Sequence, residues 1–309
     1  MGSDRLLPRT RRVVWDVLSR PAVSRTVTTV ARPFGRRLPP WLTVRIPVVR
    51  EFEIGIPGTV HSFRVETDNR DISVSVFWRG LQAWEPTLGR VLLELGRRSA
   101  TFFDVGANVG LASLLVAASS PPTRVHAFEP VPQIFERLRR NVEVNPGFTN
   151  VVLHQLALSN TSGEAVMHVP LDEWGRVPTE ASLGPRSQVS QDAATKVETL
   201  DNIVQQHAID RVDLVKIDTE GTEHWVLEGA RETLARDRPF VVCEVLANWL
   251  EPDLAPIFSD LGYRAIHLRE TGPEPCTEIR GDPTYRDLDF LFVPSERWPD
   301  LPPWLRPDP

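Results

Sequence analysis

The sequence predicts an α/β protein whose core is a Rossmann-like, doubly wound sheet of seven mostly parallel strands. A short apolar segment at residues 100–105 suits a buried parallel strand, and the glycine-containing run DVGANVG overlaps its end. An apolar helical segment follows at residues 111–118, and a second short strand at residues 124–128 leads into Glu129. These parts make one βαβ unit, and strand-like and helical segments continue to alternate after it.

A basic arm is predicted for residues 1–40. It contains nine arginines against Asp4 and Asp16, and its apolar residues at 13–18 allow one short amphipathic helix before Pro21. Such a segment can lie on an anionic membrane surface or dock on an acidic partner. It can also be a variable arm that packs on its own domain or stays loose, and this second interpretation is the favoured one.

An N-terminal β appendage is predicted for residues 41–98. Val44, Ile46 and Val48 alternate as half-buried strands do, and the same alternation recurs at residues 72–76. We therefore expect antiparallel strands that flank the main sheet. A helix at residues 87–97, preceded by Glu85, then leads into the first strand of that sheet.

The main domain is predicted to span residues 99–295, followed by a proline-rich tail at 296–309 that is extended and loose. After the first βαβ unit, the expected helices lie at residues 133–145, 199–207, 222–235 and 254–261. The expected strands lie at residues 150–158, 163–169, 196–199, 212–217, 238–245, 263–268 and 288–293, the last of them antiparallel. Residues 170–194 are polar and aperiodic, which predicts a long loop of the kind that often covers a substrate.

Composition and charge limit the classes of function. A chain of 309 residues that is 41% hydrophobic can bury a sizeable core. Its formal net charge of −6 argues against a general nucleic-acid binder, which would show a basic field. No run approaches the roughly 18 apolar residues of a membrane span, and no signal-peptide core is visible. Because Cys243 and Cys276 lack metal-ligand spacing, a reducing cytoplasm is the expected compartment.

The glycine turn and the end of the second strand predict a nucleoside-binding site. Gly106, Asn108 and Gly110 depart from the G-x-G-x-x-G fingerprint, which weakens a nicotinamide reading. S-adenosylmethionine has no phosphate but offers an amino acid tail and a ribose. Asp104 can hold the ammonium of that tail, the loop amides can meet its carboxylate, and Glu129 can accept from the ribose hydroxyls. For the glycines alone, a turn in an α/β domain without this ligand is an open alternative.

Six runs of the sequence, in order and spacing, resemble the FkbM family of S-adenosylmethionine-dependent methyltransferases. These runs are DVGANVG, AFEPVP, LALSN, VETLD, VKIDTEGTE and VVCEV, and the resemblance covers about residues 76–294. It implies a sheet of the class I methyltransferase type and O-methylation of a small molecule, sugar, glycolipid or polyketide-type product. In this family Glu85 would lie near the cofactor, and Ser182 matches a short family pattern. In proteins built this way Leu156 and Ala157 would cover the adenine.

Several carboxylates are predicted at the carboxyl edge of the sheet, where open α/β sheets bind their ligands. They are Asp104, Glu129, Asp218, Glu220 and Glu244, and Glu223 can join them. Asp218 is expected beside the cofactor. A carboxylate in an apolar strand needs a partner or a wet cleft, and Lys216 is a candidate partner for Glu244.

Glu244 is the predicted general base that removes the hydroxyl proton of the acceptor. Glu220 or Glu223 would orient the acceptor, and His224 is the second candidate for the base. The same acids satisfy the oxygen preference of Mg²⁺, although nothing in their spacing demands a metal. The expected partner is a small-molecule or glycan acceptor, without nucleic acid and with peripheral membrane contact through residues 1–40 as the open question.

Two other functions stay open from the sequence. One is a nicotinamide-dependent oxidoreductase or epimerase, and the other is a nucleoside-binding module that keeps the fold without turnover. His126 and His154, which lie within predicted strands, are expected to be buried core residues rather than catalytic groups.

Overall fold

The computed structural model describes residues 17–35, 37–43, 46–68, 72–170 and 190–306. Contacts between residues divide the chain into two compact units, Met1–Trp84 and Glu85–Pro309. The first unit therefore holds the predicted basic arm together with most of the predicted appendage. The helix expected at residues 87–97 belongs to the second unit.

Within its described residues, the first unit contains a β-hairpin and short helices. Its elements are α1 (Pro21–Ala31), α2 (Pro40–Thr43), β1 (Val49–Gly55), β2 (Ser62–Asp68) and α3 (Ser73–Arg79), with 3₁₀ turns at Arg32–Phe34 and Leu81–Ala83. The two strands pair antiparallel over seven residues. Helix α1 packs on the hairpin through Ser24, whose hydroxyl donates to the carbonyl of Pro47 at 2.8 Å and accepts from the amide of Val49 at 2.9 Å.

The strand expected near residues 72–76 of this unit was wrong. Residues 73–79 form a helix and not a strand. Ser73, Val76 and Phe77 are all buried, and their spacing also fits one face of a helix, so alternation over so short a run could not separate the two structures. Residues 21–31 of the basic arm form a helix with buried Ser24 and Thr28, so this part of the arm packs on its own unit, which is one of the two forms expected for it. Residues 13–16 of the predicted amphipathic helix lie outside the described residues.

The second unit contains the predicted doubly wound sheet. Its main strands are β3 (Thr101–Val105), β4 (Arg124–Phe128), β5 (Val151–His154), β9 (Leu214–Ile217), β10 (Phe240–Glu244), β11 (Tyr263–Arg269), β12 (Gly272–Cys276) and β13 (Asp289–Pro294). Their order is β12-β11-β13-β10-β9-β3-β4-β5, with β5, β4, β3, β9 and β10 parallel and the remaining three antiparallel to their neighbours. The fold prediction is confirmed, and β12 adds an eighth strand at one edge.

Helices connect the parallel strands and bury their apolar faces. They are α4 (Pro86–Gly96), α5 (Leu111–Ser119), α6 (Pro132–Glu143), α7 (Leu200–Gln206), α8 (Glu223–Glu228), α9 (Arg231–Asp237) and α10 (Glu251–Asp260). Phe103, Val215 and Val241 of the sheet lie in one core cluster with residues of α7, α8, α9 and α10. Thr199 begins α7 as predicted, because its hydroxyl accepts from the amide of Asn202. Free Cys243 is part of the same core.

Two predicted elements are each divided into two. The strand expected at residues 150–158 is β5 in the main sheet, followed by β6 (Ala157–Leu158) in a separate three-stranded sheet of order β6-β8-β7. In that sheet β7 spans Gly163–Pro170 and β8 spans Ser190–Glu198. The helix expected at residues 222–235 breaks between α8 and α9 at Gly229, where a Cβ atom would overlap the carbonyl oxygen of Ser159.

The C-terminal tail is packed and not loose as predicted. It forms 3₁₀ turns at Ser295–Asp300 and Pro303–Leu305. Leu301 and Leu305 are buried, so the apolar residues between the prolines anchor this segment on the second unit. Across the described residues, none of the helices has the length and apolar character needed to cross a bilayer.

Candidate active site

A pocket opens at the carboxyl ends of β3, β4 and β9, where the strand order reverses. This is the position at which open α/β sheets bind ligands. The pocket encloses about 610 Å³ of empty space, part of it open to solvent. Its walls are formed by Val105, Gly106, Asn108, Phe128, Glu129, Pro130, Ile134, Leu156, Ala157, Leu158, Met167, Asp218, Thr219, Glu220 and Thr222.

The structure brings most of the predicted cofactor-binding residues to this one pocket. Those that line it are Gly106, Asn108, Glu129, Leu156, Ala157 and Asp218. Asp104, Gly110 and Glu85 do not line it. The apolar part of the wall includes Ile134 and Met167, which the sequence analysis did not single out because each reads as an ordinary core residue of a helix or a strand.

The glycine turn after β3 needs its glycines for two different reasons. Gly106 has φ of +73°, and a Cβ atom there would overlap the carbonyl oxygen of Asp218, so the turn rests directly on the end of β9. Gly110 has φ of +91°, precedes α5, and faces a methyl group of Leu138 on α6. Asn108 between them also has a positive φ, of 52°, which asparagine tolerates better than most residues.

The amides of this turn are already engaged within the chain. Gly106 and Ala107 donate to the carbonyl of Phe128 at 3.1 and 2.9 Å, and Asn108 donates to the Glu129 carboxylate at 3.0 Å. The amide of Val109 donates to the side chain of Asn108 at 2.8 Å. The expectation that these amides meet a ligand carboxylate is therefore not supported in this conformation. Their role here is to fix the turn against the end of β4.

Glu129 is the buried carboxylate of the pocket wall. One oxygen accepts from the amide of Asn108, and the other accepts from the amide of Val131 at 3.0 Å. Burial raises the pKa of Glu129 to about 7, although the two amide hydrogen bonds oppose the rise. Each oxygen keeps a second lone pair, so a ligand hydroxyl can still donate to this carboxylate.

Behind the pocket, one buried cation holds two aspartates. Lys216 lies on β9 with its ammonium 3.0 Å from the Asp218 carboxylate and 3.8 Å from that of Asp104. Burial disfavours the charge of Lys216, but the two carboxylates outweigh it and raise the pKa of the ammonium. Asp104 has no exposed surface, and Ser113 donates to it at 2.5 Å. The carboxylate that reaches the pocket is therefore Asp218, and Asp104 lies behind it near the same ammonium.

Glu244 lies at the end of β10, two residues past the register partner of Lys216 and directly opposite Asp289 of β13. It does not line the pocket described above, only 8% of it is exposed, and its Oε2 has no hydrogen-bond partner within the described ranges. Burial raises the pKa of Glu244 well above its usual value, and the nearby carboxylates, Asp218 first among them, raise it further. The suggested pairing with Lys216 was wrong, since that ammonium contacts Asp218 and Asp104.

Glu223 holds the turn after β9. Its carboxylate accepts from the amide of Thr219 at 2.7 Å, from the hydroxyl of the same residue at 2.9 Å and from the amide of Gly221. Glu223 is fully buried, so it cannot touch an acceptor in this conformation, contrary to the sequence-based expectation. Its hydrogen bonds instead close the turn that carries Glu220, which has φ of +58° and does line the pocket. His224 is half-buried and is not a wall residue of the pocket.

Glu85 and Asp289 share a side-chain hydrogen bond. Glu85 precedes α4 with a left-handed backbone, φ of +35°, and burial of its carboxyl together with the Asp289 charge raises its pKa. Because the residue keeps an exposed surface, water limits this rise. Asp289 was missed from the sequence. The sequence signal that could have found Asp289 is its position as an acid at the start of the apolar run DFLFVP. This run forms β13, which pairs with β10 and places Asp289 opposite Glu244.

The histidines expected in the core are buried. His126 Nδ1 and His154 Nε2 lie 3.0 Å apart, away from the pocket wall. Burial lowers the pKa of His126 to about 3 and that of His154 to about 4, with neighbouring imidazoles adding to the effect. Over the described part of the chain, no three histidine, cysteine or carboxylate side chains converge as ligands for a metal ion.

Several known proteins are similar to this chain. The family model described as methyltransferase FkbM domain matches residues 104–265, more than half of the chain. The chain is 27% identical over 229 residues to hexuronic acid methyltransferase AglP of Haloferax volcanii, covering 72% of this chain and 87% of that protein. It is 28% identical over 155 residues to 31-O-demethyl-FK506 methyltransferase FkbM of Streptomyces tacrolimicus, covering 42% of this chain and 59% of that protein. Among solved structures, methyltransferase FkbM from Methylobacillus flagellatus aligns with a TM-score of 0.42 at 19% identity, over 63% of this chain and 43% of that one.

Proposed function

The chain belongs to the FkbM methyltransferase family, and from this membership we propose that it is an S-adenosylmethionine-dependent O-methyltransferase. Its acceptor would be a hydroxyl group of a small molecule, sugar, glycolipid or polyketide-type product. The observation that carries the proposal is the pocket at the switch point of the sheet, with Glu129 on one wall and Asp218 on another.

The residues of the pocket fit this cofactor. Glu129 has lone pairs left for two ribose hydroxyls, and Leu156 and Ala157 offer an apolar surface for the adenine. Asp218 is held by Lys216 and is partly exposed, and these two features support assigning it to the ammonium group of the cofactor. When bound, S-adenosylmethionine supplies an electrophilic methyl group on a sulfonium, which is an excellent leaving group.

The protein must then orient the acceptor oxygen and remove its proton. Glu244 is our candidate for the base, with Glu220 orienting the acceptor from the pocket wall and His224 as the second candidate. The raised pKa of Glu244 makes it a stronger base once it is ionised.

The names of two relatives guide the choice of acceptors to test. One relative is named for a hexuronic acid and the other for 31-O-demethyl-FK506. At 27 and 28% identity the acceptor does not transfer from either of them. A sugar acid and a polyketide-type hydroxyl therefore belong in the same panel as neutral sugars and glycolipids.

Methyl transfer from labelled S-adenosylmethionine, run over this panel, tests the activity. We expect incorporation with at least one hydroxyl acceptor, and no incorporation when that hydroxyl is replaced by hydrogen. Calorimetric titration tests the cofactor separately, with S-adenosylmethionine binding and NAD not binding. Binding of NAD alone would support the oxidoreductase alternative and contradict the proposal.

A further inference from the structure

Positive charge is concentrated in the first 50 residues of an otherwise acidic protein. This segment contains eleven arginines, no lysine and only two acids, Asp4 and Asp16, while the whole chain has a net charge of −6. Residues 17–50 contain seven arginines and no acid at all. This stretch therefore concentrates positive charge in the sequence around helix α1.

Helix α1 presents an uncharged face to solvent within this stretch. Ser24 and Thr28 mark its buried side, and the opposite side carries Ala22, Thr26 and Val30. Phe34, one turn beyond Val30, continues the same side into the following 3₁₀ turn. Val30 is 70% exposed and Phe34 is 56% exposed. We call Ala22, Thr26, Val30 and Phe34 the α1 face.

Thr26 on the α1 face and Thr29 beside it both donate their hydroxyl protons within helix α1. The hydroxyl of Thr26 donates to the carbonyl of Ala22 at 3.1 Å, and that of Thr29 donates to the carbonyl of Arg25 at 2.7 Å. Their methyl groups are what remains to contact a partner. Removing this surface from water is consequently less costly than its composition suggests.

The arginines around the α1 face fall into two groups. Arg32 and Arg50 are used inside the unit, since Arg32 stacks on Phe77 at 4.9 Å and Arg50 donates to Thr29 at 2.9 Å. Arg20, Arg25 and Arg37 are exposed, and none of them forms an ion pair with the described residues. These three guanidinium groups are available to a negatively charged partner.

We propose that the α1 face and its flanking arginines bind peripherally to the anionic surface of a lipid bilayer. Exposed aliphatic and aromatic side chains flanked by unpaired arginines suit the boundary between headgroups and acyl chains. With 11 residues, α1 is too short to span a bilayer and would lie in its plane. A nucleic acid would use the arginines but would gain nothing from Val30.

Flotation of the full chain with phospholipid vesicles tests this binding. Vesicles of phosphatidylcholine alone are compared with vesicles that also contain phosphatidylglycerol, at low and high salt. We expect binding only to the anionic vesicles. High salt should weaken it about tenfold or more, because salt screens the attraction between the exposed arginines and the anionic headgroups. Arg20→Gln with Arg25→Gln should weaken binding and flatten its salt dependence.

The apolar contribution is tested by Val30→Ser with Phe34→Ser, which should weaken binding about tenfold or more at constant charge. The matched controls are Val166→Ser, at an exposed apolar residue of the second unit, and Arg280→Gln, at an exposed arginine there. Thermal unfolding checks that each variant is folded.

Absence of vesicle binding at low salt overturns the proposal, as does an equal loss in the controls. Retention by single-stranded RNA that depends on the arginines but not on Val30 and Phe34 overturns it in favour of a nucleic acid.

Discussion

The ammonium of Lys216 lies 3.0 Å from the carboxylate of Asp218, and the other residues of strand β9 are apolar. The same ammonium lies 3.8 Å from Asp104, which is fully buried. One lysine thus neutralises a carboxylate that cannot reach solvent and positions another that faces the pocket. This arrangement connects the stability of the sheet to the geometry of the site.

Replacing Lys216 by methionine should cost about 3–5 kcal/mol of unfolding free energy, because it leaves the Asp104 charge buried and unpaired. Denaturant unfolding followed by circular dichroism measures this cost. Adding Asp104→Asn removes the orphaned charge and should recover most of the loss, while Asp104→Asn alone should cost less than Lys216→Met. A Lys216→Met variant as stable as the parent would show that the buried ion pair does not operate as described.

Replacing Glu129 by alanine should weaken S-adenosylmethionine binding about tenfold or more, through loss of charge-assisted hydrogen bonds worth about 1.5–3 kcal/mol. Titration calorimetry measures the affinity. The same change leaves the amides of Asn108 and Val131 without acceptors, so unfolding must be measured on the same sample. Glu143→Ala, at an exposed residue of α6, is the matched control. Unchanged affinity in folded Glu129→Ala would remove the ribose assignment.

Replacing Glu244 by glutamine keeps its shape and removes its basicity, so turnover should fall by about 10²–10⁴-fold. Cofactor affinity should stay close to that of the parent. In the parent, turnover should rise with pH as Glu244 ionises, with a midpoint above the usual value for glutamate because its pKa is raised. The variant should lack this rise, whereas Glu228→Gln on the surface should keep it. Near-normal turnover of Glu244→Gln would exclude it as the base.

The buried histidine pair should make the protein sensitive to acid. Unfolded histidine titrates near pH 6.5, whereas His126 and His154 stay neutral in the folded chain until their pKa values of about 3 and 4. A folded pKa below the unfolded one means that stability is full above pH 6.5 and falls as the pH drops towards 4. At pH 5 the loss is at most about 2 kcal/mol for each histidine.

The double variant His126→Phe with His154→Phe should lose less stability between pH 7 and pH 5 than the parent does. Chemical unfolding at the two pH values gives the comparison, and His61→Gln at an exposed residue is the control. Both buried imidazoles are replaced together so that neither is left without its hydrogen-bond partner. Identical pH dependence in the parent and the double variant would contradict the lowered pKa values.

The sheet and the location of the site could be predicted because they depend on local patterns. Apolar runs such as TFFDV and LVKI indicate buried parallel strands, and residues that follow such strands meet at one edge. That reasoning placed Glu129 and Asp218 at the same pocket. It also identified Thr199 as the start of a helix, since its cap needs only residues next to it in sequence.

What could not be predicted depends on contacts between distant residues. Whether Asp104 or Asp218 faces the pocket is decided by Ser113 and Lys216, which hold Asp104 behind the wall. Glu223 follows a buried parallel strand, as an acid of the cleft would. Its carboxylate nevertheless accepts three hydrogen bonds within its own turn, two from Thr219 and one from Gly221. Asp289 lies opposite Glu244 only because β13 returns antiparallel beside β10.

The unpredicted strand β12 changes how the edge of the sheet meets other chains. It reads GPEPC, and Pro273 and Pro275 have no N–H to donate. Alternate residues of a strand direct their N–H groups to opposite sides. Because β12 pairs with β11 and prolines cannot donate, the N–H groups that face β11 belong to the residues that alternate with the two prolines. The outward side consequently offers no N–H group at either proline. An incoming strand finds no donors there, which protects the protein at high concentration from edge-to-edge aggregation and from fibre growth along this side of the sheet.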